Sequence, residues 1–266
     1  LRPPGRPDVA EKTVRSLAVV GAGGQMGALF VEAAKRAGLH VRGLSRPLTP
    51  ERVAEAVRGV DLVLLSVPIN KMSQALDAVT PELDPGCILA DLCSVKALPL
   101  KQMLEAFAGP VVGTHPLFGP VIPDGFEPRV AVCQGRDEAA AQAVSDFLRR
   151  LDYAPFFCTA EEHDRALAVV QGLNFTTTVA YLASLREVDP QGRFLTPSLQ
   201  RRLDSARKML TQDREMFRII AESNPFTQEA VRRFRSLLSL AAGGDLDLLA
   251  DQAGWWWRDD NGAGQQ

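Results

Sequence analysis

Ser16-Leu17-Ala18-Val19-Val20-Gly21-Ala22-Gly23-Gly24-Gln25-Met26-Gly27 is the stretch whose reading decides the fold. Five small or apolar residues read as a buried strand. They run without a spacer into glycines, and a helical pattern follows through Ala37. Glycines at such a turn let the backbone approach a pyrophosphate closely, and the free N–H groups and positive dipole end of the following helix then hold it. The usual spacing puts the third glycine at Met26, whereas here it falls at Gly27, so the turn reads as one residue longer than the standard fingerprint. Gly21, Gly23, Gly24, Gln25, Met26 and Gly27 are thereby the candidate cofactor-binding residues.

Working outward, a second strand over Val41–Leu44 ends at Ser45-Arg46, where a site that reads the adenosine ribose of NAD usually carries an acid. A hydroxyl followed by a guanidinium suits a 2′-phosphate better, although a solvated arginine in a loop is the ordinary alternative. The cofactor is therefore expected to be NAD or NADP. A third strand, Leu62–Leu65, leads into Ser66-Val67-Pro68, also assigned to the cofactor, and a fourth, Ile88–Ala90, leads into Asp91 and Ser94-Val95-Lys96. Helical segments lie between the strands, the signature of parallel pairing with right-handed crossovers. A fifth apolar run ends in Gly113-Thr114-His115-Pro116-Leu117-Phe118-Gly119-Pro120, which presents a histidine at a strand's carboxyl edge between a glycine and two prolines. Val130–Cys133, a helix from about Asp137 to Leu151, and Ala154–Phe157 complete the sheet.

From Ala160 onward the strand-like runs stop. Amphipathic helices are expected at about Ala160–Leu185, Ser198–Gln212, Arg214–Ser223, Thr227–Ala242 and Leu246–Trp257. The fold class is thus α/β: a Rossmann-type, doubly wound, mostly parallel sheet domain over 14–158, followed by an all-α domain over 159–258, with flexible tails at 1–13 and 259–266. The helices carry more apolar faces than a small monomeric unit would cover, so a homodimer is expected.

Of 266 residues, 46 % are hydrophobic, ample for a packed core, and the formal charge of -2 provides no basic field for nucleic acid. Cys87, Cys93, Cys133 and Cys158 stand apart in apolar surroundings, without the spacing of a zinc site or disulfide framework, so reduced core thiols and no metal are expected. No apolar run is read as approaching a membrane span, and the Pro-rich opening lacks a signal peptide's apolar region, so a cytoplasmic location without a membrane partner is expected.

With Gly-Gly-Gln-Met-Gly at 23–27, Ser-Val-Pro at 66–68, Asp91 with Ser94-Val95-Lys96, and the Gly113–Pro120 segment, the chain resembles the prephenate dehydrogenase family. The resemblance continues through Glu162-His163-Asp164, Gln171-Gly172-Leu173 and Arg207–Asp213. It implies a nicotinamide-binding domain joined to a helical dimerisation domain, and an oxidoreductase that aromatises a cyclohexadienyl dicarboxylate by hydride transfer with loss of carbon dioxide. A histidine, with its unperturbed pKa near 6.5, suits the accompanying proton abstraction, and that role is assigned to His115. The resemblance makes Ser94 its catalytic companion, although Ser94 also sits where a helix cap would. Thr114, Gln171 and Phe175 are placed at the substrate. Arg207, whose planar fork matches a carboxylate, is the expected substrate-binding arginine. His163 reads as structural.

One departure bears on the substrate. Where many relatives have a second active-site histidine after the Gln-x-Leu segment, this chain has Phe175. An aromatic face tolerates a cationic amine, so 4-amino-4-deoxyprephenate is slightly favoured, with prephenate or arogenate as the alternative. A β-hydroxyacid dehydrogenase would need a lysine on the first long helix of the second domain, and Ala160–Leu185 contains none. A dimeric dinucleotide sensor on the same fold is the non-enzymatic alternative.

Overall fold

The computed structural model describes residues 13–189 and 191–258, so the tails expected at 1–13 and 259–266 lie, apart from Thr13, outside the described residues. The chain divides into two compact units, 1–166 and 167–266. The division falls between Ala166 and Leu167, eight residues past the one expected at Cys158.

In the first unit the elements alternate as β1 (Ser16–Val20), α1 (Gln25–Arg36), β2 (His40–Leu44), α2 (Pro50–Val57), β3 (Leu62–Leu65), α3 (Met72–Val79), β4 (Ile88–Asp91) and α4 (Ala97–Ala106). There follow β5 (Val111–Pro116), β6 (Arg129–Gln134), α5 (Glu138–Arg150) and β7 (Ala154–Phe157). The seven strands form one sheet in the order β2-β1-β3-β4-β5-β6-β7. Neighbours pair in parallel, except that β6 runs antiparallel to β5. Side chains alternate between two cores, as the period of a strand demands. Leu17, Val19, Leu62, Leu64, Ile88 and Ala90 face one cluster with Phe30 of α1 and Phe147 of α5. Ala18, Val20, Val63, Leu65 and Leu89 face the other, with Val53, Met72 and Met103 from α2, α3 and α4. Burying each large apolar side chain contributes roughly 1.5–3 kcal/mol, so both helical layers are held to the sheet.

Chain order reverses about β1, whose neighbours are β2 and β3. The glycine turn follows β1 directly and so lies at the switch point of the sheet, outside the carboxyl ends of the strands.

Two expectations about this unit are corrected. Cys133 and Cys158, distant in sequence, bring their Sγ atoms to 3.7 Å, because β6 and β7 are paired and the Cys158 N–H donates to the Val132 carbonyl just before Cys133. The four cysteines are nevertheless free thiols. Ser94 does not cap α4; the carboxylate of Asp164, seventy residues further on, takes that place.

The first unit closes with α6 (Ala160–Leu167), and the second is helical. The run that opens as α6 passes through a π-helical turn at Ala168–Leu173 into α7 (Asn174–Val188). It is therefore not the uninterrupted α-helix expected. A Cβ on Gly172 would stand 2.8 Å from the Thr227 hydroxyl, so the widened turn is packed where only glycine fits. This run of 29 residues is also long and apolar enough, by length and composition, to cross a membrane. That corrects the expectation that none is; Gln171, Asn174 and Thr176–Thr178 had hidden its uncharged length. Next come α8 (Pro197–Thr211), α9 (Arg214–Ser223), α10 (Thr227–Ala242) and α11 (Leu246–Ala253), closed by a 3-10 turn over Gly254–Trp257. α8 begins as its sequence dictates, with Pro197 in the first turn and the Thr196 hydroxyl accepting the Leu199 N–H.

Candidate active site

Around the glycine turn the backbone is built for close approach. Gly21 has φ +94°, and a Cβ there would stand 2.1 Å from the Ser66 carbonyl oxygen. A Cβ on Gly27 would meet the Gly21 carbonyl oxygen at 2.3 Å, so the displaced third glycine does pack α1 onto the turn. Gly24 is the N-cap of α1, no side chain caps that end, and the first turn carries no acid. Its N–H groups therefore face outward for an anion. The Gly23 N–H donates to Ser45 Oγ at 2.8 Å, which brings the end of β2 to the turn. Arg46 is exposed beside it. Ser66 and Val67 adjoin Gly21, and Pro68 follows. Met26 departs from expectation in one respect: its side chain packs against the sheet core, so its backbone alone faces a ligand. The cradle that Cβ atoms would fill, and the uncapped helix end, fit a dinucleotide pyrophosphate.

At the carboxyl ends of β4 and β5 lies a cluster of polar side chains that are almost wholly buried: Asp91, Lys96, Thr114, His115, His163 and Asp164. Buried charge persists only when paired and hydrogen-bonded, and here it is. Lys96 Nζ lies 2.5 Å from Asp91 Oδ2 and donates to the Thr114 carbonyl at 2.6 Å. Asp91 further accepts the N–H groups of Cys93, at 2.9 Å, and Thr114, at 3.2 Å. Together these contacts bind the Ser94 loop to β5. Thr114 donates its hydroxyl to the Asp91 carbonyl and is buried, so the structure places it in the support of β5 and not, as expected, at a substrate.

α6 opens with a capping box. The Thr159 hydroxyl accepts the Glu162 N–H at 3.1 Å, and Glu162 accepts the Thr159 N–H at 2.8 Å. This fixes the first turn, from which His163 and Asp164 point inward. His163 Nε2 lies 2.9 Å from His115 Nδ1, and His163 Nδ1 lies 2.8 Å from Asp164 Oδ1. Burial, with His163 and Lys96 nearby, holds the His115 pKa well below its ordinary value, so the imidazole is neutral at pH 7. Burial pushes the Asp164 carboxyl up, but hydrogen bonds from His163, Ala97 and Lys96 outweigh it, and the net displacement is downward. Ser94, half-buried, has no hydrogen-bond partner among the described residues, which leaves its hydroxyl free.

Asp91, Lys96, His163 and Asp164 stand in the motifs named above, but the sequence alone does not show them in this role. A lysine five residues after an acid in an otherwise apolar stretch was the available signal for the first pair. No local signal announces the second, since 48 residues separate His115 from His163. Arg207, Gln171 and Phe175 belong to the second unit. Arg207 is exposed on α8 with no ion pair among the described residues. Gln171 lies in the π-helical turn, where its buried Oε1 has no hydrogen-bond partner among the described residues. Phe175 stacks on Phe217, the ring centroids 5.8 Å apart and the planes 15° from parallel. An open cleft of about 500 Å³ beside Cys158 and Glu138 includes none of these residues.

The family model described as "Prephenate dehydrogenase, nucleotide-binding domain" matches residues 34–128. A T-protein of Enterobacter agglomerans is 32 % identical over 240 residues, covering 87 % of this chain and 64 % of that protein. A 4-amino-4-deoxyprephenate dehydrogenase of Streptomyces pristinaespiralis is 28 % identical over 189 residues, covering 64 % of this chain and 63 % of that protein. The chain thus spans less than two thirds of the length of these curated relatives. Among solved structures, prephenate dehydrogenase from Aquifex aeolicus in complex with hydroxyphenyl propionate and NAD+ shares the fold. Its TM-score is 0.71 at 18 % identity, over 94 % of this chain and 96 % of that one. Fold, motif order and relatives agree in one likeness: the chain is similar to the prephenate dehydrogenase family, whose nucleotide-binding model matches residues 34–128.

Proposed function

We propose that this protein is an NAD(P)-dependent dehydrogenase that oxidatively decarboxylates a prephenate-type cyclohexadienyl dicarboxylate to an aromatic product. The observation that carries the reading is a buried histidine held neutral at the carboxyl edge of β5, in the same unit as a glycine turn open to a dinucleotide. When bound at that turn, the nicotinamide supplies the two-electron acceptor. His115 takes the proton from the ring hydroxyl or amine as the carbon bearing it is oxidised, and the electrons released with carbon dioxide complete the aromatic ring. Ser94, with its hydroxyl free, orients the same group. Arg207 holds a substrate carboxylate by its two-pronged donor face. A homodimer through the helical unit and a cytoplasmic location belong to this reading; four free thiols suit a reducing compartment.

For the finer substrate, Phe175 in place of a family histidine supports 4-amino-4-deoxyprephenate, because a phenyl face accepts an ammonium that a protonated imidazole would repel. The stacking of Phe175 on Phe217 favours a second reading, in which the ring is packing and prephenate or arogenate is the substrate. The test assays all three compounds side by side with NAD+ and NADP+, following absorbance of the reduced nicotinamide, in the wild type and in Phe175→His. Preference for the amino compound, shifted toward prephenate by the substitution, supports the first reading. A wild-type preference for prephenate or arogenate supports the second, and turnover of none overturns the dehydrogenase assignment in favour of a dinucleotide sensor.

A further inference from the structure

We infer that Asp164 and His163 form a positioning relay that sets the tautomer of His115, with the proton on Nδ1 and the lone pair on Nε2. The dehydrogenase reading is needed only for what that lone pair then does. The direction follows from donor and acceptor inventories. An ionised carboxylate has no proton to give, so across the 2.8 Å contact His163 Nδ1 donates to Asp164 Oδ1. With His163 neutral, donation from its Nδ1 leaves Nε2 as an acceptor, so across the 2.9 Å contact His115 donates from Nδ1, whereas a doubly protonated His163 would reverse that contact. His115 Nε2 is then the basic atom, and it has no hydrogen-bond partner among the described residues.

Reversing the relay would require a proton on Asp164, and the surroundings oppose it. Asp164 Oδ1 also accepts the Lys96 N–H at 2.7 Å, and Oδ2 accepts the Ala97 N–H at 2.8 Å. A proton on either oxygen would face a donor already in place. The two imidazole rings meet edge to face, their centroids 5.1 Å apart, so neither ring flips without breaking the chain of contacts. Because the same carboxylate caps α4, it also holds the turn that follows Ser94. One buried group therefore orients the base and anchors the loop of its companion hydroxyl.

The test uses the whole 266-residue chain labelled with 15N at its three histidines, His40, His115 and His163. Two-bond 1H–15N spectra at neutral pH report which ring nitrogen carries the proton, and His115→Asn assigns the signals. The expected result is a neutral His115 protonated at Nδ1. A His115 protonated at Nε2, or a doubly protonated His163, overturns the relay irrespective of any activity. In kinetics, His163→Phe is expected to lower kcat by roughly 10²-fold with KM little changed, and His163→Gln, which can still accept from His115, to recover part of the loss. Equal losses in Phe and Gln variants, or a rise in KM with kcat retained, would mean that His163 is packing alone. If the wild type turns over no cyclohexadienyl substrate, the dehydrogenase reading fails while the spectrum still decides the tautomer.

Discussion

At the scale of single residues, the base proposed is His115, and its surroundings set its charge. His115→Asn is expected to preserve the fold and nucleotide binding while turnover falls roughly 10²–10⁴-fold, the usual loss for a positioned general base; an unimpaired variant would remove it from the mechanism. Its depressed pKa has a signed consequence for stability. Below the unfolded value, about 6.5, the unfolded chain binds a proton at this position that the folded protein refuses, so stability falls as pH drops from there toward the folded value. Denaturant midpoints between neutral and mildly acidic pH should therefore decline more steeply in the wild type than in His115→Asn. Parallel slopes would show that the imidazole is not held neutral by burial.

At the scale of elements, two glycines mark places where backbone approach decides geometry. Gly21→Ala puts a left-handed φ on a residue with a Cβ and drives that Cβ into the Ser66 carbonyl. The strain alone is about 1–3 kcal/mol. A lowered melting temperature together with loss of NAD(P) binding in calorimetric titration is expected, and a variant that binds normally would show that the turn is not the dinucleotide cradle. In the helical unit, Gly172→Ala crowds the Thr227 hydroxyl and should destabilise by about 1–3 kcal/mol, as overpacking usually does. Adding Thr227→Ala removes the obstructing atoms and should restore most of the loss. Additive effects of the two changes would show that the π-helical turn is not held by this contact.

For the whole molecule, the helical unit leaves much apolar surface in water. Val169, Val170, Leu238, Leu246, Leu248 and Trp255–Trp257 are all more than half exposed. An apolar surface of that kind calls for a partner, and a second copy of the same unit is the one proposed above. Sedimentation or light scattering should give twice the mass of the chain, and the double variant Leu238→Glu, Leu248→Glu should shift it toward the single-chain mass. A wild type that runs as a monomer at micromolar concentration would end the proposal.

By itself the sequence determined the periodic parts of this protein. Strands of apolar residues alternating with amphipathic helices dictated a mostly parallel sheet. The glycine spacing after β1 was equally legible, because it is a local pattern with a local cause. Gly113-Thr114-His115-Pro116 marked the end of the strand that carries His115 for the same reason. The tertiary structure alone decided which groups meet. Asp164 displaced Ser94 as the cap of α4, Thr114 turned inward to Asp91, and Cys133 found Cys158 across β6 and β7. His163 reached His115 over 48 residues of chain. The physical reason is common to all four: a buried polar or thiol group takes its partner from whatever the packing brings within hydrogen-bond reach, and that proximity has no period in the sequence.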